Sequence, residues 1–240
     1  MYRQLNNVNE FIFTECDIVH VLQHKASQNN KIGQGFIIQT THLGIEQIEK
    51  IDLTLDSASC LDCPLSHRAN GGCYTHKGNQ RNGLYSMMKS KNKLNIPTFD
   101  QSQFDLFLKA VKKVDLVRFG TYGEPVLLPE NIGDALISKA VDKKYTAYTH
   151  QWRKGNSNFA MASVHSIKQA KEAIKMGYRC FLSMPKKKYE SLDAVDLLWI
   201  KRNLIGCPAA KESKYDKTCI ECGLCNGING MKNGVFILMH

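Results

Sequence analysis

The sequence predicts an α/β fold in which parallel βα repeats form a complete or partial TIM-like barrel, followed by an irregular cysteine-rich metal-binding segment. Short β-rich segments alternate with helix-compatible stretches after Lys31. Polar motifs follow several of these segments directly, as expected at the carboxyl ends of parallel strands. The stretch after residue 203 combines four cysteines with many turn residues, so it needs more than a hydrophobic core to order it.

The composition is that of a folded protein, with 43% hydrophobic and 22% charged residues in 240. We expect three parts: an N-terminal extension with one helix (1–30), a βα-barrel-like core (31–203), and a cysteine-rich segment packed on that core (204–240). This length is enough to bury a substantial core without disulfide bonds.

The expected strands share a short, β-branched or aromatic composition, and they cover residues 35–41, 51–56, 114–120, 145–150, 159–164, 179–184 and 234–240. The expected helices cover 101–113, 129–143 and 166–176. The last helix has the clearest boundaries, because Ser166 is suited to cap its N-terminus and Gly177 follows its end.

The chain has 32 Lys and Arg against 22 Asp and Glu, for a net charge of +10. This charge is compatible with nucleic acid as a partner, although it is dispersed and a run such as Lys186-Lys187-Lys188 is typical of a solvated face. We find no apolar stretch of the ~18 residues that cross a bilayer and no secretory signal, so we expect a cytoplasmic protein with reduced thiols.

Four of the nine cysteines lie near the C-terminus, at Cys207, Cys219, Cys222 and Cys225. Two CxxC steps share Cys222, as in the loop of a bacterial ferredoxin, where each step reaches a different iron. This pattern favours an iron-sulfur cluster, and a four-thiolate zinc site is the alternative.

Three further cysteines, Cys60, Cys63 and Cys73, follow the expected strand 51–56. Three thiolates leave one position of a metal open, which is how metal sites bind a substrate or cofactor. A zinc knuckle completed by His67 or His76 is the alternative. The remaining thiols are isolated: Cys180 is expected to be a buried apolar residue, and Cys16 has no evident partner.

The stretch IDLTLDSASCLDCPLSHRANGGCYT, followed by VDLVRFGTYGEPVLLP, resembles radical S-adenosylmethionine enzymes across residues 45–185. The resemblance implies a [4Fe-4S] cluster on Cys60, Cys63 and Cys73, whose electron cleaves S-adenosylmethionine to a deoxyadenosyl radical. It also implies that the GEP motif, Gly123, Glu124 and Pro125, contacts the methionine group. The family spacing is CxxxCxxC, whereas here nine residues separate Cys63 from Cys73.

Residues 31–240 also resemble small phage-encoded cysteine-rich proteins, through the CxxCPL and GCY loop, the VR and GEP strand end, the YTHQW turn and the CPA tail. This resemblance implies a phage-infected or prophage-bearing host cell. It also implies that the two cysteine clusters belong together in one type of protein. It adds His150, in YTHQW, to Glu124 as a candidate catalytic residue.

Three functions remain open. The first is a radical S-adenosylmethionine-type enzyme with an auxiliary cluster at the C-terminal cysteines and a nucleotide or nucleobase as candidate substrate. The second is a zinc-containing barrel that exchanges or modifies a base in nucleic acid, similar to queuine-type transglycosylases, with Asp56 or Glu124 as nucleophile. The third is a non-catalytic zinc module that binds nucleic acid or a host protein.

Overall fold

The structure is a computed structural model that describes residues 2–4, 9–13, 18–23, 32–39, 60–66, 69–73, 116–125, 138, 144–154, 159–210, 212–215, 217–228, 230 and 232–239. The chain divides into two compact units, Met1–Lys143 and Lys144–His240.

Unit 1 contains a mixed β-sheet. Its strands are β1 (Tyr2–Gln4), β2 (Asn9–Phe13), β3 (Ile18–Gln23), β4 (Ile32–Gln39) and β5 (Leu116–Tyr122). The first four strands pair in sequence order and antiparallel, whereas β5 pairs parallel to β4, with Ile32 opposite Leu116. The parallel pairing directs the chain after β5 toward the same sheet edge at which β4 ends.

The single helix expected within residues 1–30 is wrong, because the described residues there form β1, β2 and β3. The segments NEFIF and IVHVLQ are rich in β-branched and aromatic residues, which suit a pleated surface better than a helix. They pair in register, with Phe11 opposite Val21. Strand β4, at the start of the expected βα core, has the antiparallel strand β3 as a neighbour, which parallel repeats alone did not predict.

Unit 2 contains a fully parallel five-stranded sheet. Its strands are β6 (Lys144–Thr149), β7 (Met161–Val164), β8 (Cys180–Pro185), β9 (Ile205–Gly206) and β10 (Gly234–Met239). The spatial order is β6-β7-β8-β10-β9, so β10 lies between β8 and β9. Strands and helices alternate along this unit, which confirms the α/β class.

The helices of unit 2 are α1 (Ile167–Lys175), α2 (Lys186–Glu190), α3 (Ala194–Asn203) and the short α4 (Cys219–Cys222), with a 3-10 turn at Trp152–Lys154. The predicted boundaries of α1 are confirmed. The Ser166 hydroxyl accepts a hydrogen bond from the Gln169 amide at 3.2 Å, and Gly177 follows the helix with φ +88°.

The core of unit 2 lies where α1 and α3 cover the sheet. Its buried members include Trp152, Val164, Ile167, Ala170, Ala173, Cys180, Leu182, Ile200 and Leu204. Cys180 is fully buried in β8, so the prediction of a buried apolar cysteine is confirmed, and this burial raises the pKa of its thiol to about 12.

Several predictions lie outside the described residues: the strand 51–56, the helix 101–113, the helix 129–143 apart from Ser138, and the individual residues Cys16, Asp56, His67 and His76. Ser138 itself is helical. Within the part of the chain that is described, no helix has the length and apolarity required to span a bilayer.

Candidate metal centres and strand-end histidines

The first cysteine loop, in unit 1, begins with a tight turn between Cys60 and Cys63. The Cys63 amide donates a hydrogen bond to the Cys60 carbonyl at 3.1 Å, and both side chains are buried. Leu61, between them, has φ +50°, a left-handed conformation that costs a branched side chain free energy. The turn therefore keeps Leu61 in a backbone conformation that leucine disfavours. Such strained conformations are concentrated at functional sites.

The same loop returns Cys73 to the neighbourhood of Cys63. The Cys73 amide donates to the Leu65 carbonyl at 3.0 Å, and the Gly71 amide donates to the Ser66 carbonyl at 2.9 Å. The nine residues between Cys63 and Cys73 therefore form a closed loop. The backbone of Cys73 contacts the chain at Leu65, two positions after Cys63. Gly71 is required for this closure, because a β-carbon there would lie 2.4 Å from the Leu65 backbone.

Glu124 follows β5 at the carboxyl end of a parallel strand pair and is only 3% exposed. Gly120, with φ +65°, allows Pro125 to pack closely, since a β-carbon at Gly120 would lie 2.6 Å from the proline ring. Gly123 is also left-handed, with φ +84°. A Glu124 carboxylate oxygen lies within 4.8 Å of the Cys63 sulfur. The predicted GEP motif and one predicted cysteine ligand are therefore neighbours.

The second cysteine set, in unit 2, groups all four predicted members. Cys219 and Cys222 lie on α4, which begins with a capping box between Thr218 and Glu221. Both thiols act electrostatically on Cys207 and on Cys225, so the four sulfurs share one region. The described cysteines, Cys60, Cys63, Cys73, Cys180, Cys207, Cys219, Cys222 and Cys225, form no disulfides with one another.

Hydrogen bonds converge on two of these sulfurs. Burial raises the pKa of the Cys207 thiol, and backbone amides of Ala209 and Ala210 oppose that increase by bonding to the sulfur. Burial also raises the pKa of Cys225, to about 12, while the Tyr148 hydroxyl opposes it through a hydrogen bond. Donors directed at sulfur stabilise a thiolate, the form that binds metal.

Arg179 holds the loop that carries Cys225. Its guanidinium donates to the backbone carbonyls of Leu224 at 3.0 Å and Asn226, and to that of Lys232 at 3.5 Å. Arg179 is only 9% exposed, and burial lowers its pKa whereas the Cys225 thiol raises it. Ionised sulfurs in this region would compensate the buried positive charge, as buried charges require.

The histidines His150 and His165 each follow a parallel strand, β6 and β7 respectively. Their Nε2 atoms lie 3.3 Å apart, and His165 Nδ1 lies 3.0 Å from the Ser183 hydroxyl of β8. The ring planes are inclined by 24° with centroids 5.4 Å apart, so the rings meet through their nitrogen edges. Burial, and then the proximity of His150, lowers the pKa of His165.

His150 was a candidate from the sequence, whereas His165 and Ser183 were missed. The signal for His165 was available, because it directly follows the predicted strand 159–164 just as His150 ends YTAYTH. Trp152, beside His150 in the same motif, is 2% exposed and belongs to the core of unit 2. In unit 1 the structure thus brings Glu124 next to Cys63 and the backbone of Cys73 next to Leu65, and in unit 2 it groups the four C-terminal cysteines.

Comparison of the chain with protein-family models, with curated proteins and with solved structures finds no match in any of the three.

Proposed function

We propose that the chain is an iron-sulfur enzyme of the radical S-adenosylmethionine type. In this proposal Cys60, Cys63 and Cys73 hold a reactive [4Fe-4S] cluster, and the four C-terminal cysteines hold an auxiliary centre. The single observation that supports it most is the return of Cys73 to Leu65 by a 3.0 Å backbone hydrogen bond. That return supports the family assignment, since it brings the backbone of Cys73 to within two positions of Cys63 despite the nine-residue spacing.

The donor set fits an iron-sulfur cluster chemically. Thiolates are the ligands of such clusters, and the two buried cysteines at the start of the loop are shielded from bulk water. Three protein ligands leave one iron available to a small-molecule cofactor. When bound, the cluster supplies an electron for reductive cleavage of S-adenosylmethionine. The protein contributes thiolate ligands, a strained turn that orients them, and exclusion of water.

Glu124 is the residue that we assign to cofactor binding in unit 1. Its carboxylate is buried and close to Cys63, where it would accept hydrogen bonds from the ammonium group of the methionine moiety. Gly123 and Pro125 position it: the glycine supplies the left-handed turn, and the proline packs on Gly120. We assign Glu124 to positioning of the cofactor, and not to proton transfer.

The C-terminal centre is, in this proposal, closed and either structural or an electron relay. Four thiolates saturate it, and Arg179 fixes the loop around Cys225. A complete or partial βα barrel is the architecture we expect to support both centres. The setting we propose is the cytoplasm of a phage-infected or prophage-bearing cell.

A nucleotide or nucleobase is the substrate class that the charge distribution favours. Unit 2 contains 16 Lys and Arg against 7 Asp and Glu, so it accounts for nine of the ten net positive charges of the chain. The lysines of α2 are exposed and follow β8, the strand of Ser183. Such a surface attracts phosphate groups.

Anaerobic purification followed by iron, sulfide and zinc analysis tests the proposal. We expect about eight irons per chain if both centres are cubane clusters, with the broad visible absorption of iron-sulfur charge transfer. Cys63→Ser should remove about half of the iron, whereas Cys180→Ala, which alters a buried cysteine outside both sets, should remove none. Glu124→Gln should retain the iron and weaken S-adenosylmethionine binding.

A colourless protein with stoichiometric zinc at both sets would overturn the proposal in favour of a zinc protein. A chain that retains iron but neither binds S-adenosylmethionine nor cleaves it to 5′-deoxyadenosine after reduction would reject the radical mechanism alone.

A further inference from the structure

The carboxyl ends of three adjacent strands in unit 2 bring two imidazoles and a hydroxyl together: His150 after β6, His165 after β7, and Ser183 within β8. We propose that His150 and His165 bind a divalent transition-metal cation of borderline softness, such as Zn²⁺, Co²⁺ or Ni²⁺. Imidazole nitrogens select this class of cation over Mg²⁺ or Ca²⁺.

The separation of the two nitrogens fits a shared metal. Their 3.3 Å distance is also within reach of a long hydrogen bond between the rings. Two nitrogens bound at the usual zinc distance in a tetrahedron lie about 3.3–3.4 Å apart. The rings therefore already have the nitrogen spacing of two metal ligands.

Ser183 supplies the outer-sphere contact that such a site requires. Its hydroxyl lies 3.0 Å from His165 Nδ1, the ring nitrogen opposite the one that faces His150. A metal-binding histidine almost always uses its second nitrogen in this way, which fixes the tautomer and orientation of the ring. The backbone at His165 is held as well, because its amide donates to Gln169 at 2.8 Å.

The nearby charge and the open coordination positions decide what the site can bind. Lys188 donates to the His165 carbonyl at 3.2 Å, but its side chain is exposed and its charge is screened by solvent. Two protein ligands leave at least two positions of a four-coordinate ion open to water or to oxygen and nitrogen atoms of a substrate. We therefore assign the site to substrate binding and polarisation.

Cobalt(II) titration of the full-length protein, kept anaerobic with its cysteine centres loaded, tests the proposal. We expect one additional Co²⁺ per chain, detected as a further change in the visible spectrum. His150→Gln and His165→Gln should each weaken this binding at least tenfold, and Ser183→Ala by about 10- to 100-fold. Lys187→Gln, at an exposed neighbour on α2, should leave it unchanged.

X-ray absorption of the cobalt-loaded native chain provides a second measurement that no folding defect can obscure. Two imidazole ligands are expected, and a coordination shell without imidazole would refute the assignment. Binding that is equally tight in native and His165→Gln protein would refute it too.

Discussion

The backbone amide of Cys73 meets the backbone carbonyl of Leu65 at 3.0 Å, although the two residues are eight positions apart in sequence. This contact closes the backbone between the second and third cysteines into a loop. Asn70, inside this closed loop, has φ +52°, so it and Leu61 are the non-glycine residues with positive φ in the described part of the chain, and both lie in the first cysteine loop. The loop therefore contains backbone strain at two points, in the turn between Cys60 and Cys63 and again at Asn70.

Gly71 and Gly72 offer a matched pair for testing that closure. A β-carbon at Gly71 would lie 2.4 Å from the Leu65 backbone, whereas one at Gly72 would meet nothing within 4 Å. We expect Gly71→Ala to reopen the loop and to lose about four irons per chain, while Gly72→Ala retains them. Iron analysis after anaerobic purification distinguishes the two. Equal iron in both variants would show that the closure is dispensable for metal binding.

Removal of the Arg179 guanidinium should loosen the Cys225 loop. Arg179→Met leaves the carbonyls of Leu224, Asn226 and Lys232 without this donor, at a cost of about 1–3 kcal/mol for each one that stays buried. We expect lower stability in denaturant titration and faster loss of metal from the C-terminal centre. Arg153→Met is the control: this arginine pairs with Glu172 at the surface, so its loss should be smaller.

The Tyr148 hydroxyl should tune the C-terminal centre electronically. Its hydrogen bond to Cys225 stabilises negative charge on sulfur, and the reduced form of a cluster carries more of that charge. Tyr148→Phe keeps the ring that packs on Phe181, with centroids 4.7 Å apart, and removes only the donor. We expect unchanged iron and a lower reduction potential in spectroelectrochemistry. Tyr189→Phe, which alters a ring stacked on Phe236, should leave the potential unchanged.

Cys180 should contribute a measurable pH dependence to stability. Its pKa is raised by burial to about 12, from 9.0 in the unfolded chain. Because the unfolded state loses this proton first, the contribution is complete below pH 9 and is lost at about 1.4 kcal/mol per pH unit between pH 9 and 12. Unfolding free energies of native and Cys180→Ala protein, compared between pH 8 and 10, should diverge as pH rises. Parallel curves would mean that the thiol ionises within the folded protein.

Local patterns in the sequence predicted much of unit 2. Ser166 and Gly177 mark the ends of α1 because a helix terminus depends on its own few residues. The strands β6, β7, β8 and β10 were recognisable because they are short and mostly rich in β-branched or aromatic residues. The grouping of the four C-terminal cysteines likewise followed from their close spacing.

Features that depend on distant backbone contacts could not be predicted in this way. The return of Cys73 requires a hydrogen bond across the loop, and nothing in the spacing of nine residues indicates it. The strand pattern at the N-terminus was not recognised, because polar residues such as Asn6, Asn7 and Asn9 interrupt it. His165 had a recognisable position after a strand, but its significance appears only when β6 and β7 lie side by side.

The placement of β10 has a consequence for how unit 2 is assembled. This strand follows β9 in sequence but lies between β8 and β9, so each of those two strands pairs with β10 and not with the other. The cysteine-rich segment is the connection that must bring β10 back. Metal capture by Cys207, Cys219, Cys222 and Cys225 would shorten this connection and so lower the entropy cost of inserting the strand. Iron or zinc supply would then limit the yield of folded protein.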